Sequence, residues 1–313
     1  MFSFENRGLG LRRIRKGGIA PGQRILVCGA HRSGTTLLGH LLGADRESLQ
    51  LTEPFQPLVG VEGVDRWYIA ADKSGERWNP FIDRLISGSA IAFASRDGVR
   101  PSLWARFKGT PRSREYAAVQ RKPPARLVIK DPFLSLSAQY LVRRHHFQVV
   151  FAVKHPAAFL LSLRRVGWDR TVPLDDLVEQ GVIDAAQRDA AQDPVSQAAL
   201  LWNVVNRHAL ATARDLPENV SIWSHERFCA DPDREMAQLT QALGITYSEP
   251  MQDEVSRATR GDVVTPPMET IHALVRNSAA MAGDWRARLP KAEQEELRER
   301  CGAVYHELVG TVW

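Results

Sequence analysis

The stretch RILVCGAHRSGTTLLGHLLG, Arg24 to Gly43, limits what this chain can become more than any other. An apolar run, Ile25 to Cys28, enters a glycine-containing turn and then leucines at helical spacing, which predicts strand, tight turn and helix in succession. In such a unit the N–H groups of the turn converge on one point, and the helix dipole adds positive partial charge there, so the turn is an anion site. Gly29 to Thr36 fits the phosphate-loop pattern G-x-x-x-x-G-K-[ST] at every place but one, because Thr35 stands where the lysine belongs. That lysine serves the β- and γ-phosphates of a nucleoside triphosphate. Its absence, with the positive charge moved into the turn at Arg32, suits a shorter anion without a γ-phosphate and without a metal.

Further short apolar strands alternate with helices along the chain. Leu49–Phe55 reads as a short strand ending in Glu53, Leu127–Ile129 as a buried strand ending at Lys130, and FQVVFAV as a strand ending at Lys154. Helices are expected over 134–144, over 157–165 and over 194–214; NVSIWS is a further strand, Asp231-Pro232 opens a helix that Gly244 closes, and a charged helix begins near Pro290. The pattern predicts an α/β fold: three αβα layers around a central parallel sheet of the nucleotide-binding P-loop type. In such sheets ligands bind at the carboxyl ends of strands, and Gly29–Thr36, Glu53, Lys130 and Lys154 all fall there. The whole of 1–313 is expected to be one domain, with a basic arm over 1–23 and an insertion of short helices and loops over 56–120 covering the site.

With 44% hydrophobic and 25% charged residues the chain can build a sizeable core, and its net charge of +5 favours an anionic ligand without arguing for nucleic acid. Three scattered cysteines form no C-x-x-C pair, which points to a reducing, cytoplasmic setting. No run is long enough to span a membrane and the N-terminus lacks the layout of a secretory signal. The cluster LRRIRK in the arm reads as a solvated segment, with peripheral membrane contact as the alternative. No histidine pair has zinc-ligand spacing, and no metal is expected.

The residues GAHRSGTTLL resemble the 5′-phosphosulfate loop of the sulfotransferases that use 3′-phosphoadenosine-5′-phosphosulfate (PAPS). A second resemblance follows a later strand. In the family the 3′-phosphate is met by a basic residue, then Asp or His and Pro, then a serine eight residues on; here Lys154, His155, Pro156 and Ser162 keep that spacing. A third is AGDWRARLP near the C-terminus, similar to a Gly-Asp-Trp-basic tail that closes over the donor; the Arg-Lys-Gly usually before it is missing, and Arg276 is the nearest cation, out of register. The resemblance implies a PAPS donor held by His31, Arg32, Ser33, Gly34, Thr35, Thr36, Lys154, Ser162 and Arg276, with no metal requirement.

It also divides over the general base. Members acting on small molecules have a histidine just after a Lys-Thr strand end, but here IKDPF places Asp131 and Pro132 there. Carbohydrate and tyrosyl-protein members use a glutamate, and Glu53 lies 21 residues beyond Arg32, a spacing similar to the tyrosyl-protein branch, which also carries Lys-Asp-Pro-Phe. The resemblance therefore implies Glu53 as base, with Lys130 and Arg32 stabilising the transferring group, and a hydroxylated acceptor for which a saccharide or glycoconjugate is expected. Phenol, lipid and peptide-tyrosine acceptors, a P-loop metabolite kinase and a non-catalytic nucleotide-binding module are the alternatives. Asp131 is the alternative base, with a turn-forming role favoured by Pro132. Trp67, Tyr68, Trp78, Trp104, Arg106 and Lys108 in the insertion suit either sugar stacking or a small core under a lid, whereas Trp202 is expected in the core.

Overall fold

A computed structural model describes residues 22–94, 110–260, 283–311 and 313. Five strands, β1 (Gln23–Cys28), β2 (Ser48–Thr52), β3 (Arg126–Lys130), β4 (Gln148–Val153) and β5 (Val220–Ser224), form one sheet in the order β2-β3-β1-β4-β5. Every neighbouring pair is parallel, and β1 lies between β3 and β4 with Ile25 opposite both Val128 and Gln148. Because successive side chains alternate across a strand, Ile25 and Val27 fill one face while Leu26 and Cys28 fill the other. Both faces of the three inner strands are almost wholly buried, as a parallel sheet requires, while the edge strands β2 and β5 are partly exposed.

The helices divide between the faces. α1 (Thr35–Gly43) follows β1; α2 (Gly75–Ile86) and α3 (Pro111–Arg121) lie between β2 and β3. A 3₁₀ segment, Pro132–Ser137, and α4 (Ala138–His145) follow β3, so the single helix expected over 134–144 is divided in two. The cause is Asp131, whose carboxylate accepts from the Phe133 amide and caps the tighter turn first. After β4 come α5 (Pro156–Arg165), α6 (Leu174–Glu179), α7 (Ala185–Ala190) and α8 (Pro194–Asp215). After β5 come α9 (His225–Ala230), α10 (Pro232–Ala242), α11 (Glu249–Arg260), α12 (Trp285–Arg288) and α13 (Lys291–Val309).

One core joins Ile25, Val27, Val128 and Val150 to Leu38, Leu41, Phe228, Met236, Met251 and Val255 of α1, α9, α10 and α11. The other joins Leu26, Leu127, Ile129, Phe151 and Val153 to α5, α8, α13 and the segment after β2. The long α8 starts where Asp193 and Ser196 cap each other's backbone and Pro194 takes the first position, where a missing N–H costs nothing. Trp202 on α8 is fully buried, in keeping with a core role. No helix among the described residues is long and apolar enough to cross a membrane.

The consequence for function is local. The carboxyl ends of β1, β2, β3 and β4 open on one rim, with the chain leaving β1 for β2 on one side and reaching β4 on the other. This reversal beside β1 is where an open α/β sheet forms its crevice.

Candidate active site

The loop after β1 is fixed before any ligand is considered. Gly29 has φ of 132°, and a Cβ there would lie 2.3 Å from the carbonyl oxygen of Ala152 on β4, so only glycine lets the two strands' ends approach. The Gly29 amide donates to Ser135 Oγ at 2.8 Å, the His31 amide donates to the Tyr68 hydroxyl at 2.8 Å, and Ser33 N–H donates to Ala30 O at 3.0 Å. Arg32 at φ 70° and Gly34 at φ 98° make the turn that starts α1. The amides of Gly34, Thr35 and Thr36 are the first-turn donors that a helix leaves without an intrahelical partner. Ser33 Oγ is buried with no hydrogen-bond partner among the described residues.

Two groups of side chains meet at this loop. On the β2–β3 side, Lys130, with its side chain 1% exposed, brings Nζ to 2.5 Å from Glu53 Oε1 and 3.4 Å from Thr36 Oγ1. Its stem passes over α1 at Gly39, where a Cβ would stand 2.6 Å from Lys130 Cγ. The mid-helix glycine, a cost to the helix, is thus explained by the lysine that crosses it. Glu53 is also met by Arg112 of α3, whose Nε donates to the Glu53 carbonyl at 2.9 Å and whose Nη2 lies 3.4 Å from Oε2.

On the β4 side, Arg32 reaches Ser162 of α5, Nε to Oγ 3.4 Å, with its guanidinium 5.9 Å from the Trp168 ring centre. Lys154 stands at the end of β4, where its carbonyl accepts from Trp202 Nε1 at 2.9 Å, and its ammonium has no hydrogen-bonded or ion-paired partner among the described residues. Burial lowers its ammonium to about 8, and the Arg32 charge adds to that against the opposing pull of Glu226. The residues after it fold as the sequence pattern requires. His155 caps α5 by accepting from Ala157 N–H at 3.2 Å, Pro156 takes the first helical position, and Glu226 accepts from the His155 amide at 3.0 Å. Burial lowers His155 to about 4, which leaves the ring neutral and able to accept that bond. Trp285, from the Gly-Asp-Trp segment, stacks on His155 with centroids 4.2 Å apart, so this tail packs beside the β4 end.

Asp131 does not face this centre as a free carboxylate. Its oxygens accept from the amides of Phe55 at 2.7 Å and Phe133 at 2.9 Å, and burial with the nearby Glu53 charge raises it to about 7 against the pull of those amides. It ties the segment after Glu53 to the segment after Lys130. His31 is likewise committed: Nδ1 lies 2.5 Å from the Tyr68 hydroxyl, and burial with the Arg32 charge lowers the ring to about 4.

Arg32, Ser162 and Lys154 thus form one group, and Glu53, Lys130 and Thr36 another, with Ser33, Gly34 and Thr35 between them. Arg276, together with Trp104, Arg106 and Lys108, lies outside the described residues. In the insertion Tyr68 and Trp78 are fully buried; Trp78 donates to Gln180 Oε1 at 2.9 Å, and Trp67 packs edge-on against Phe133. These three belong to a core under the rim rather than to an open stacking surface. Sequence reasoning did not single out Arg112, although Thr110-Pro111 before it is a helix-start signal, nor the role of Tyr68 as anchor of the loop.

A sequence model of the sulfotransferase family matches residues 24–249, and the chain belongs to that family. It is therefore a transferase of sulfuryl groups. No curated protein matches it. Among solved structures it is similar to the sulfotransferase domain from the Synechococcus PCC 7002 olefin synthase, at 18% identity over 89% of this chain and 93% of that one, TM-score 0.47. It is similar as well to the sulfotransferase domain from the curacin biosynthetic pathway, at 17% identity over 89% and 96%, TM-score 0.49. The mouse sulfotransferase SULT7A1 complexed with PAP is similar at 13% identity over 92% and 85%, TM-score 0.47.

Proposed function

We propose that the enzyme transfers the sulfuryl group of PAPS to a hydroxyl of a saccharide or glycoconjugate, with Glu53 as general base. The observation that carries this reading is the 3.4 Å approach of Arg32 to Ser162, which joins the anion loop of β1 to the serine of the β4 motif in one crevice. The Lys154 ammonium and the buried Ser33 hydroxyl, neither with a partner among the described residues, support a bound anion at each end, as a nucleotide with phosphates at both 5′ and 3′ positions would supply. Residues 56–120, within a single domain spanning 1–313, shape the acceptor side. Trp168, 37% exposed beside Arg32, offers a ring face to an acceptor that itself carries a ring.

The chemistry follows from charge. Sulfuryl transfer resembles phosphoryl transfer in moving a planar group in line between two oxygens, so positioning and electrostatic stabilisation carry most of it. The loop amides and Thr36 hydroxyl hold the 5′-phosphosulfate; Lys154 and Ser162 hold the 3′-phosphate. Lys130 and Arg32 offset the negative charge that gathers on the bridging oxygen as the sulfur–oxygen bond breaks. The Glu53 carboxylate takes the proton from the acceptor hydroxyl as the new bond forms.

Transfer of radiolabelled sulfate from PAPS, screened over oligosaccharides, phenols, hydroxylated lipids and tyrosine peptides, tests the acceptor class. Label on saccharide is the expected result; label confined to phenols or peptides overturns the saccharide assignment. The 3′-phosphate site has its own signature. Because Lys154 loses its proton near pH 8 in the free protein, binding of the product 3′-phosphoadenosine-5′-phosphate (PAP) weakens above that pH, up to about tenfold per unit. Calorimetry across pH 6.5 to 9.5 should show this fall in the wild type and its loss in Lys154→Met, where the affinity is already low.

A further inference from the structure

The Lys130–Glu53 pair raises a difficulty that the third member of the cluster resolves. At 2.5 Å the ammonium and the carboxylate satisfy each other, while transfer needs the lysine on the sulfonate and the carboxylate on the acceptor. We propose that Arg112 is the positioning residue of this centre: it retains the Glu53 carboxylate at Oε2 so that Lys130 can leave Oε1 for the donor's sulfonate. The inference rests on the reading of Glu53 as base and Lys130 as sulfonate ligand.

Three features of the backbone point the same way. Glu53 adopts φ of 47°, a left-handed conformation that a non-glycine residue keeps only where its surroundings enforce it. The enforcing contacts are its own amide on Lys130 O at 2.7 Å and its carbonyl on Arg112 Nε at 2.9 Å. Arg112 therefore grips the same residue twice, at the carbonyl and at the carboxylate. Its helix is in turn tied to the strand end, because the Thr52 amide donates to Glu115 Oε2 of α3 at 2.7 Å. α3 starts firmly, with Thr110 Oγ1 accepting from Ser113 N–H at 3.1 Å and Pro111 at the first position. The arginine is thus presented from a capped helix, and its planar fork suits a two-point hold that a lysine could only half reproduce.

The role is testable without an acceptor. PAPS and PAP differ by the sulfonate alone, so the ratio of their dissociation constants, Kd(PAP)/Kd(PAPS), reports how free Lys130 is to meet it. Glu53→Gln weakens the hold on Lys130 and is expected to raise this ratio about threefold, whereas Arg112→Ala removes a cation that competes with Lys130 for Glu53 and is expected to lower it by a similar factor. In Arg112→Ala the affinity for PAP should stay within about twofold of the wild type, turnover should fall about tenfold to a hundredfold, and Arg112→Lys should recover part of both effects. Arg112→Gln, which keeps a donor for the Glu53 carbonyl, provides the same comparison if the alanine variant does not fold. A ratio unmoved in Glu53→Gln overturns the reading of Lys130 as sulfonate ligand. A ratio that moves in Glu53→Gln but not in the Arg112 variants, or Arg112 variants that weaken PAP and PAPS equally, overturns the role of Arg112 alone.

Discussion

Exchange of Glu53 for glutamine is expected to lower turnover about a thousandfold while PAP binding stays within about twofold of the wild type, because a positioned general base contributes roughly 10² to 10⁴ in rate. The glutamine keeps the shape of the residue, one oxygen for Lys130 Nζ in a weaker, uncharged contact, and the backbone carbonyl that Arg112 Nε holds, so the left-handed turn at this position remains. What it removes is the ability to take a proton. Steady-state kinetics with PAPS and the acceptor found by the screen, alongside PAP calorimetry, separate the two effects. A fully active variant would move the base elsewhere, and Asp131 would not replace it, since both of its oxygens are occupied by backbone amides.

The second large effect lies on the donor side. Arg32→Ala is expected to weaken PAP binding by about 2–4 kcal/mol, or roughly thirtyfold to a thousandfold, the cost of removing one partner of a desolvated charge pair. Arg32 stands where the loop turns toward α1 and reaches Ser162, so in the proposed reading its loss is expected to affect both ends of a bound nucleotide. Arg32→Lys should recover part of the affinity, since it restores charge without the planar fork. The distinction is read from calorimetric Kd values at fixed salt, and unchanged affinity in the alanine variant would remove Arg32 from the donor site.

The two ends of the site were legible to different degrees, for physical reasons. The loop and the strand-end lysines could be read because each depends on local order: a glycine where the backbone must turn, a charge one residue beyond an apolar strand, a serine two helical turns on. The parallel sheet followed from strands apolar on both faces. The insertion could not be read in the same way, because its functional content is tertiary. Arg112 acts on Glu53 across 59 residues of chain, and Tyr68 serves the loop by accepting the His31 amide across 37. Nothing in their immediate neighbours encodes these partners. Tryptophans in the same segment suited either a sugar or a core, and the structure assigns Trp78 to the core. The 3₁₀ segment after β3 divided an expected helix because a buried aspartate captured the Phe133 amide, a competition between side chain and helix that periodicity does not register.

Of the four described non-glycine residues with positive φ, three are Arg32, Glu53 and Tyr68. Strained backbone of this kind costs about 1–3 kcal/mol per residue and gathers at functional sites. Here it marks the loop, the proposed base and the tyrosine that anchors the loop, which is the pattern of a rim organised for a ligand rather than for stability alone.

The central claim, that two anion pockets on one sheet edge hold the two phosphates of a single nucleotide, is tested most directly by calorimetric titration with PAP, AMP and ATP, each with magnesium and with a chelator. PAP is expected to bind one per chain, indifferent to magnesium, and about a hundredfold more tightly than AMP, which lacks the 3′-phosphate that Lys154 and Ser162 would meet. A flat trace with PAP, or magnesium-dependent binding of ATP that exceeds it, would contradict the account.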